Sequence, residues 1–507
     1  MGGSMIKKIV VLMICILCIL LFTSTDKFSA TISDRDQKIK QIEVEIENNM
    51  KTHDIPGMAF ALVDSNGIVY SKGFGTLDIR EDTQQIDENT NFNLGSLSKV
   101  FTTIAIMQLQ EKGLLRIEDP VVNYLPWFKT RDALMSNQIT IKHLLNHSSG
   151  LPSRLNVHEV KSVDQQEIKI QISDKLRNVM LVAKPGETFE YTNMNTDLLQ
   201  IIIEEVSDVP FTKYMDENIF KPLGMNRTGY FTFDDQQLSN TAIGHRYHWG
   251  KIKPFKEKLV YATSSSAGLS SNATDLSKFM MCLLNEGETP MGNLIRSNSI
   301  NEVFRANKYG IGYNWYIYPQ NMYMEGGLPG FTSTMVLNSD KSFGLVLLSN
   351  SKQDITFHSG FNLFRIVEGG TPKPLLGEDF PKVKSAAKII LSITMFICTI
   401  LVYVVGATFY NLAKGRHTVT FVKPIFSKIC MMILLLALYF GVMYYIYVLF
   451  PYYVGVPSFF DFQKEPDVTS GLIILSIMYT SLSFVLFLKI LIIQKVKLSK
   501  TPIKLSC

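Results

Sequence analysis

Three long apolar runs near the C-terminus place the strongest constraint on how this chain can fold. They lie at about residues 389–412, 429–450 and 471–493. Each is long enough to cross a hydrocarbon core of ~30 Å as a helix that rises ~1.5 Å per residue. Backbone inside lipid must satisfy its own hydrogen bonds, so helices are the expected structure. The sequence therefore predicts a membrane domain of three transmembrane helices within residues 386–507.

The charges between these runs predict their orientation. The connection between the first two runs and the tail after the third are rich in lysine and arginine, whereas the connection between the second and third is acidic and aromatic. Basic connections stay on the cytoplasmic side, so the aromatic loop at 450–462 is expected outside, at the membrane interface. An odd number of spans then places residues 31–385 on the extracytoplasmic face of a multi-pass cell-membrane protein.

The N-terminus predicts the same topology. Lys7 and Lys8 precede an apolar run over residues 9–22, which is typical of a secretory signal. The cleavage pattern after this run is poor, because Phe28 stands where a small side chain is preferred. Residues 1–30 are therefore interpreted as a signal peptide or a retained N-terminal anchor.

The distribution of charge argues against one class of partner. Residues 384–507 contain twelve Lys or Arg and three Asp or Glu, a net charge of +9, whereas the whole chain carries +5. The part before residue 384 therefore carries −4, and binding of nucleic acid has no support. Of the six cysteines, only Cys282 lies in the outer segment away from apolar runs. That domain is expected to be stabilised by its core without an internal disulfide.

The order of predicted elements outside the membrane indicates an α/β (α+β) fold. The Asn-Gly pair at 66–67 predicts a hairpin between two β-rich runs, and residues 332–350 predict a second pair of strands. A mostly helical stretch separates the two pairs. Strands at both ends of the domain predict one antiparallel sheet flanked by helices, plus a helical lobe, with a cleft between them. Besides the helices of the lobe, helices are predicted at residues 35–52, 96–113 and 354–367.

A serine and a lysine three residues apart open the second of these helices. Residues at this spacing face the same side, so Lys99 Nζ can approach Ser96 Oγ. Unpaired N–H groups and the helix dipole at a helix start favour a developing negative charge. A lysine acts as a base only when burial or a nearby cation lowers its pKa. The spacing alone does not separate this chemistry from a capped, solvated helix start, because Ser-x-x-Lys occurs at four other positions.

Six motifs in order resemble the class C β-lactamase-like and penicillin-binding-protein-like serine hydrolases. They are NLGSLSK, ITIKHLLNHSSGLP, KPGETFEYTNMNTDLLQIIIE, KPLGM, SSAGLSSNATDLSKFM and GGLPGF. The resemblance covers essentially all of residues 31–385 and implies a serine β-lactamase/transpeptidase-like domain that needs no cofactor. The plan of one such domain followed by three spans also resembles FmtA-like proteins and colibactin-type prodrug peptidases. Asn93 and Asn193 depart from the second group, so the first is the closer match.

The resemblance implies a role for six residues. Ser96 is the expected nucleophile, and Lys99 and Tyr191 are expected to move the proton, a role for which the adjacent ammonium must reduce the Tyr191 pKa. Asn193 is expected to hold a substrate carbonyl or orient Lys99, although a helix N-cap is an alternative, as packing is for Tyr191. The glycines at 326 and 327 are expected to approach the substrate, with the second N–H pairing with that of Ser96 as an oxyanion hole.

One position departs from the family pattern. Members usually carry Lys or His where Met324 stands, and a thioether neither donates a hydrogen bond nor supplies positive charge. This weakens a carboxypeptidase or β-lactamase interpretation, because both need a cation for the substrate carboxylate. The next residue, Glu325, is interpreted either as a solvated carboxylate or as a group that meets a cationic substrate.

The histidines do not predict a metal site. His143 and His147 lie four apart, but neither an acidic base nor a third ligand accompanies them. His245 and His248 are expected in surface or packing positions. No metal ligand is therefore predicted.

The sequence thus predicts a membrane-anchored, extracytoplasmic serine hydrolase that acts through an acyl-enzyme. Its expected substrates are small peptides or acyl amides, of the D-amino-acid-containing, cell-wall-related or N-acyl prodrug type. The lipid bilayer is the other expected partner. The alternative is a catalytically weak, penicillin-binding-like protein that binds or senses cell-envelope components. A third possibility gives the three spans their own role in binding substrate or partner.

Overall fold

The computed structural model describes most of the chain outside its two termini. The described residues are 34–153, 155, 157, 160–230, 240–248, 251–256, 259–351, 355–373, 379–419, 426–449 and 466–495. The predictions for residues 1–30, for the loop at 450–462 and for the tail after 495 lie outside this part. The chain divides into two compact units, one made of residues 1–246 and 253–376, the other of 247–252 and 377–507. The domain boundary at 385/386 stays a prediction.

A seven-stranded antiparallel sheet forms the centre of the first unit. Its strands lie side by side in the order 316–317, 321–328, 331–338, 343–349, 57–64, 67–78 and 81–85, so segments from both ends of the domain pair in one sheet. This confirms the predicted fold class. The strands are β1 Gly57–Asp64, β2 Gly67–Asp78, β3 Glu81–Gln85, β4 Phe92–Asn93, β5 Gly229–Tyr230, β6 Gly244–His248, β7 Lys251–Phe255, β8 Leu269–Ser271, β9 Glu288–Thr289, β10 Gly292–Asn293, β11 Tyr316–Ile317, β12 Asn321–Leu328, β13 Phe331–Asn338 and β14 Phe343–Ser349.

The predicted hairpin at 66–67 joins β1 to β2. Asp64 Oδ1 accepts hydrogen bonds from Asn66 N at 2.7 Å and from Gly67 N at 3.0 Å. This Asx-type turn satisfies the backbone donors where the chain reverses. The β13–β14 turn uses Lys341 in the left-handed region, at φ 57°.

Strand β1 is buried on both faces. Met58 and Phe60 contribute to the smaller core cluster, together with Leu363 of α12, and Ala59 and Ala61 point into the larger cluster that faces the helical lobe. Successive side chains of a strand point to opposite faces, so a strand covered on both sides reads as a nearly continuous apolar run.

Helices cover the sheet and build the lobe. The first and twelfth helices contribute to the smaller core cluster, and the second and sixth cross the larger one. The helices are α1 at residues 34–52, α2 Ser98–Glu111, α3 Ala133–Ser136, α4 Ile141–Leu145, α5 Gln165–Leu176, α6 Asn193–Ser207, α7 Phe211–Met215, α8 Lys221–Leu223, α9 Ser264–Ala267, α10 Ala273–Leu284, α11 Ser297–Val303 and α12 Ile355–Val367.

The second unit contains the three predicted long helices. Among the described residues, three segments are long and apolar enough to cross a membrane, namely Ile389–Ala413, Phe426–Leu449 and Ser470–Ile490. The orientation of these spans stays a prediction. The elements of this unit are α13 Asp379–Ala413, β15 His417–Val419, α14 Phe426–Tyr444, α15 Pro466–Ile492 and β16 Ile493–Lys495.

Candidate active site

A tight turn presents Ser96 between the sheet and the lobe. A 3₁₀ turn, Gly95–Leu97, precedes α2, so the α-helix itself begins two residues later than predicted. Gly95 has φ +56°, and a Cβ there would lie 2.9 Å from Gly327 N. Only glycine combines that backbone conformation with that close approach. The turn leaves Ser96 partly exposed while both neighbours are buried.

Lys99 is fully buried beneath Ser96. Its Nζ lies 3.0 Å from Ser96 Oγ, 2.8 Å from Asn193 Oδ1 and 2.6 Å from the carbonyl oxygen of Ser266. In its neutral form the amine has two hydrogens for the last two oxygens and one lone pair that can accept the Ser96 proton. Burial lowers the pKa of Lys99 well below its ordinary value, and the nearby Asp197 carboxylate partly offsets this. The solvated-helix alternative is therefore wrong for Lys99.

Tyr191 contacts the same serine from the other side. Its hydroxyl donates a hydrogen bond of 2.8 Å to Ser96 Oγ. Burial raises the pKa of Tyr191, and the charges of Asp197 and Glu325 raise it further. A proton shuttle through Tyr191 requires a reduced pKa, and burial acts in the opposite direction. Lys99 Nζ lies over the ring face, 5.1 Å from the centroid, and Met324 adds no second cation.

His147 packs against Tyr191. The two rings stack at 4.5 Å, and burial lowers the pKa of His147 to about 3, so the imidazole is neutral. Asn195 Nδ2 donates to His147 Nδ1, which leaves the proton on Nε2 to donate to Asn314 Oδ1, both at 3.0 Å.

His143 accepts from Thr140 N inside a helix cap. Among the described residues, no group of three His, Cys, Asp or Glu side chains could hold a metal ion.

Helix α6 contributes two polar side chains to the site. Asn193 is its first residue, and Thr192 is the N-cap, so Asn193 contacts Lys99 instead of capping the helix. Asp197 lies one turn further along and is buried. Burial raises the pKa of Asp197, although Ser266 and Lys99 favour its charge. Within the described part of the chain, no donor reaches either carboxylate oxygen with regular hydrogen-bond geometry.

The glycines of β12 lie against the Ser96 turn. A Cβ at Gly326 would lie 1.9 Å from the carbonyl oxygen of Leu94, so no side chain is tolerated there. Gly327 N lies beside Gly95, as the Cβ distance given above shows. The strand therefore brings a backbone N–H next to the turn that carries Ser96. The oxyanion role of Gly327 and the substrate role of Gly326 stay predictions.

The two β12 residues before these glycines supply no positive charge to the site. Met324 is 2% exposed and belongs to the larger core cluster. Glu325 is partly exposed, and its carboxylate contributes to the raised pKa values of Tyr191 and Tyr316. Tyr316 in turn stacks on Tyr323 with ring centroids 5.0 Å apart. Aromatic faces and a carboxylate thus border this side of the site.

The remaining histidines have other positions. His245 is fully buried, with Nε2 accepting from Ile79 N at 3.3 Å and Nδ1 lying 3.1 Å from the carbonyl oxygen of Asn350. This is a packing role, as expected. His248 is exposed.

Sequence reasoning missed His147 and Asp197 as parts of the site. Asp197 follows Asn193 by four residues on the same helix, and that spacing could have indicated a second polar group on the same face. The stacking of His147 on Tyr191 had no comparable signal, because it joins segments 44 residues apart in the chain.

Asp197→Asn is expected to shift the acid limb of the pH–rate profile to lower pH. The carboxylate favours the protonated form of Lys99, so its loss lowers the Lys99 pKa further and the amine is neutral at lower pH. The measurement is kcat against pH for an ester substrate. Glu204→Gln is the matched control, because Glu204 is a second buried acid on α6 and bonds instead to Tyr261 and Phe211 N. A limb that stays in place or moves upward would contradict this role.

Comparison with known protein families finds a match over most of the first unit. The family model described as Beta-lactamase matches residues 42–361. A solved structure described as FmtA from Staphylococcus aureus superposes with a TM-score of 0.55 at 24% identity, covering 66% of this chain and 88% of that one. This last similarity concerns the fold alone.

Two curated relatives are similar in sequence. Protein flp from Staphylococcus aureus strain MRSA252 is 30% identical over 319 residues, which is 61% of this chain and 62% of the relative. The match thus spans less than two thirds of that protein. A putative penicillin-binding protein, PbpX from Bacillus subtilis strain 168, is 30% identical over 330 residues, which is 63% of this chain and 77% of the relative.

Proposed function

Because this chain belongs to the beta-lactamase family, we propose that it is an active serine hydrolase that cleaves amide or ester bonds through an acyl-enzyme. The observation that carries the proposal is the buried amine of Lys99, 3.0 Å from Ser96 Oγ. A lysine whose pKa burial lowers can take the serine proton at this distance. The test is Ser96-dependent labelling by a fluorophosphonate, with hydrolysis of an acyl ester as the second readout.

The mechanism follows from the hydrogen bonds of the site. Ser96 Oγ attacks the substrate carbonyl carbon while its proton passes to Lys99 Nζ. The N–H groups of Ser96 and Gly327 stabilise the resulting oxyanion. Tyr191 is a phenol, not a phenolate, and gives its proton to the leaving nitrogen or oxygen as that bond breaks. The Lys99 ammonium then restores the phenol, and water releases the acyl group from Ser96.

We further propose that the substrate carries no carboxylate beside the scissile bond. Met324 supplies no cation, and the carboxylate of Glu325 opposes a second negative charge. Neutral or cationic acyl donors are therefore favoured, among them small D-amino-acid-containing or cell-wall-related peptides and N-acyl prodrugs. A panel of aminoacyl amides and esters with and without a free carboxylate tests this choice.

Met324→Lys is expected to increase the rate of labelling by a fluorescent penicillin about tenfold. A lysine there supplies a charge-assisted hydrogen bond to the penicillin carboxylate, and such a bond is worth ~1.5–3 kcal/mol. Met324→Leu is the matched control, because it keeps an apolar side chain of similar size. Equal labelling rates in the two variants would show that position 324 does not determine carboxylate recognition.

We propose that the catalytic unit is anchored to the outer face of the cell membrane. Three helices of sufficient length and the basic connections between and after them support this proposal. Protease treatment of intact cells tests it. An outward-facing domain is cleaved without lysis, whereas an inward-facing one is protected until the membrane is opened.

A second candidate function is a binding or sensing protein that acylates slowly. The raised pKa of Tyr191 favours it, because a phenol that is difficult to ionise is a poor base for the deacylating water. The two candidates differ in the lifetime of the adduct. A Ser96 adduct that persists for many times the acylation time supports the sensor, and rapid turnover supports the hydrolase.

A further inference from the structure

A cavity of about 480 Å³ lies in the second unit, between α14 and α15. This volume falls within the range of small-molecule sites. Its walls are apolar and include Leu434, Leu435 and Leu486, whereas Lys428, Lys489 and His417 are the basic residues that line it. The cavity is thus largely apolar, with a small cluster of basic groups.

Antiparallel packing of the two helices brings the basic groups together. Tyr439 of α14 stacks on Tyr479 of α15 with ring centroids 6.0 Å apart, and its hydroxyl lies 3.3 Å from Thr480 Oγ1. Lys428 lies in the first turn of α14, and Lys489 in the last turn of α15. The two lysines therefore meet at one end of the helix pair.

No acidic side chain is among the described residues that line the cavity. Residues 389–460 and 468–507 contain no Asp or Glu, and the three acids of the tail, at 461, 465 and 467, lie before and at the opposite end of α15. A lysine at a helix start also opposes the positive end of the helix dipole. Within the described residues, His417 Nδ1 is buried without a hydrogen-bond partner. An anion from outside the chain would satisfy all three groups.

We propose that this cavity binds an anionic phospholipid. The lipid phosphate contacts Lys428, Lys489 and His417, and an acyl chain lies against the leucines. A free phosphate would leave the apolar walls unfilled, and a zwitterionic lipid brings its own cation to the lysines. Basic pockets between membrane helices bind anionic headgroups for these reasons. The proposal rests on the three helices spanning a membrane and is independent of the hydrolase chemistry.

The test uses the full-length protein in detergent micelles, titrated with phosphatidylglycerol or with phosphatidylcholine of the same chains. Phosphatidylglycerol is expected to raise the unfolding temperature at lower concentration than phosphatidylcholine. Lys428→Gln and Lys489→Gln are each expected to raise the half-saturating concentration of phosphatidylglycerol about fivefold. This is the effect of one basic residue at an anionic membrane surface. Lys414→Gln is the matched control, because Lys414 is exposed and does not line the cavity.

Two further arms keep the test decisive. Lys428→Arg keeps the charge and should keep the preference for phosphatidylglycerol. Native mass spectrometry should show phosphatidylglycerol bound to the wild type and absent from the double variant Lys428→Gln, Lys489→Gln. Equal stabilisation by both lipids would overturn the proposal. Stabilisation by glycerol 3-phosphate alone would overturn it in favour of a free phosphate. A double variant that changes only the oligomeric state would assign the cavity to a second copy of the chain.

Discussion

Ser96→Ala is expected to abolish covalent labelling by a fluorophosphonate and to reduce ester hydrolysis at least ~10³-fold, the scale on which loss of a serine nucleophile acts. The hydroxyl is the group to which Tyr191 donates, and its oxygen lies 3.0 Å from Lys99 Nζ. Alanine leaves both partners in place but removes the attacking oxygen. The measurements are the in-gel labelling rate and kcat/KM for an acyl ester.

Ser98→Ala is the matched control from the same four-residue motif. Ser98 Oγ donates to the carbonyl oxygen of Gly95 at 2.7 Å and accepts from Leu269 N at 3.0 Å, so its role is to hold the turn. Its loss leaves buried groups unpaired and costs about 1–3 kcal/mol of unfolding free energy. We expect this variant to label but to unfold at a lower temperature. Labelling that survives in Ser96→Ala and disappears in Ser98→Ala would identify Ser98, not Ser96, as the nucleophile.

Lys99→Met is expected to lower kcat about 10²–10⁴-fold, the usual contribution of a positioned general base. Methionine fills the buried space but cannot accept the Ser96 proton. In the wild type, the rate should rise with pH as Lys99 loses its proton, and burial places this acid limb well below the ordinary lysine range. The variant should lose the limb. The measurement is kcat from pH 5 to 10, with circular dichroism to show that each variant is folded.

Lys99→Arg separates a base from a fixed positive charge. Arginine stays protonated across this pH range, so it preserves the charge and removes the base. We expect it to be as inactive as the methionine variant. Activity close to that of the wild type would mean that Lys99 acts as an electrostatic group and that another residue takes the proton.

Much of the fold was predictable because it is encoded in local patterns. The Asn-Gly pair at 66–67 predicted the hairpin, because that dipeptide accepts the backbone conformation of a tight turn. The uninterrupted apolar runs predicted the three long helices, because their length and composition suit a bilayer. The order of six motifs indicated the family that the comparison then confirmed.

The geometry around Ser96 was predictable only in part. Helical spacing indicated that Lys99 faces Ser96, and the structure places the two atoms within hydrogen-bond distance. The start of α2 was displaced by the 3₁₀ turn at Gly95–Leu97. The catalytic roles of these residues stay predictions until the variants are measured.

The electrostatic state of the site was decided by the tertiary structure. The acceptor that completes the environment of Lys99 is the carbonyl oxygen of Ser266, 167 residues away in the chain, and Tyr191 stacks on His147 from another segment. A pKa depends on which groups enclose a side chain and exclude water from it. Sequence periodicity specifies which face of one element is apolar, but only the assembled fold determines which distant groups meet at that face. The sequence by itself therefore determined the family, the sheet and the three apolar helices, whereas the packing of remote segments decided that Lys99 is desolvated and that Tyr191 keeps its proton.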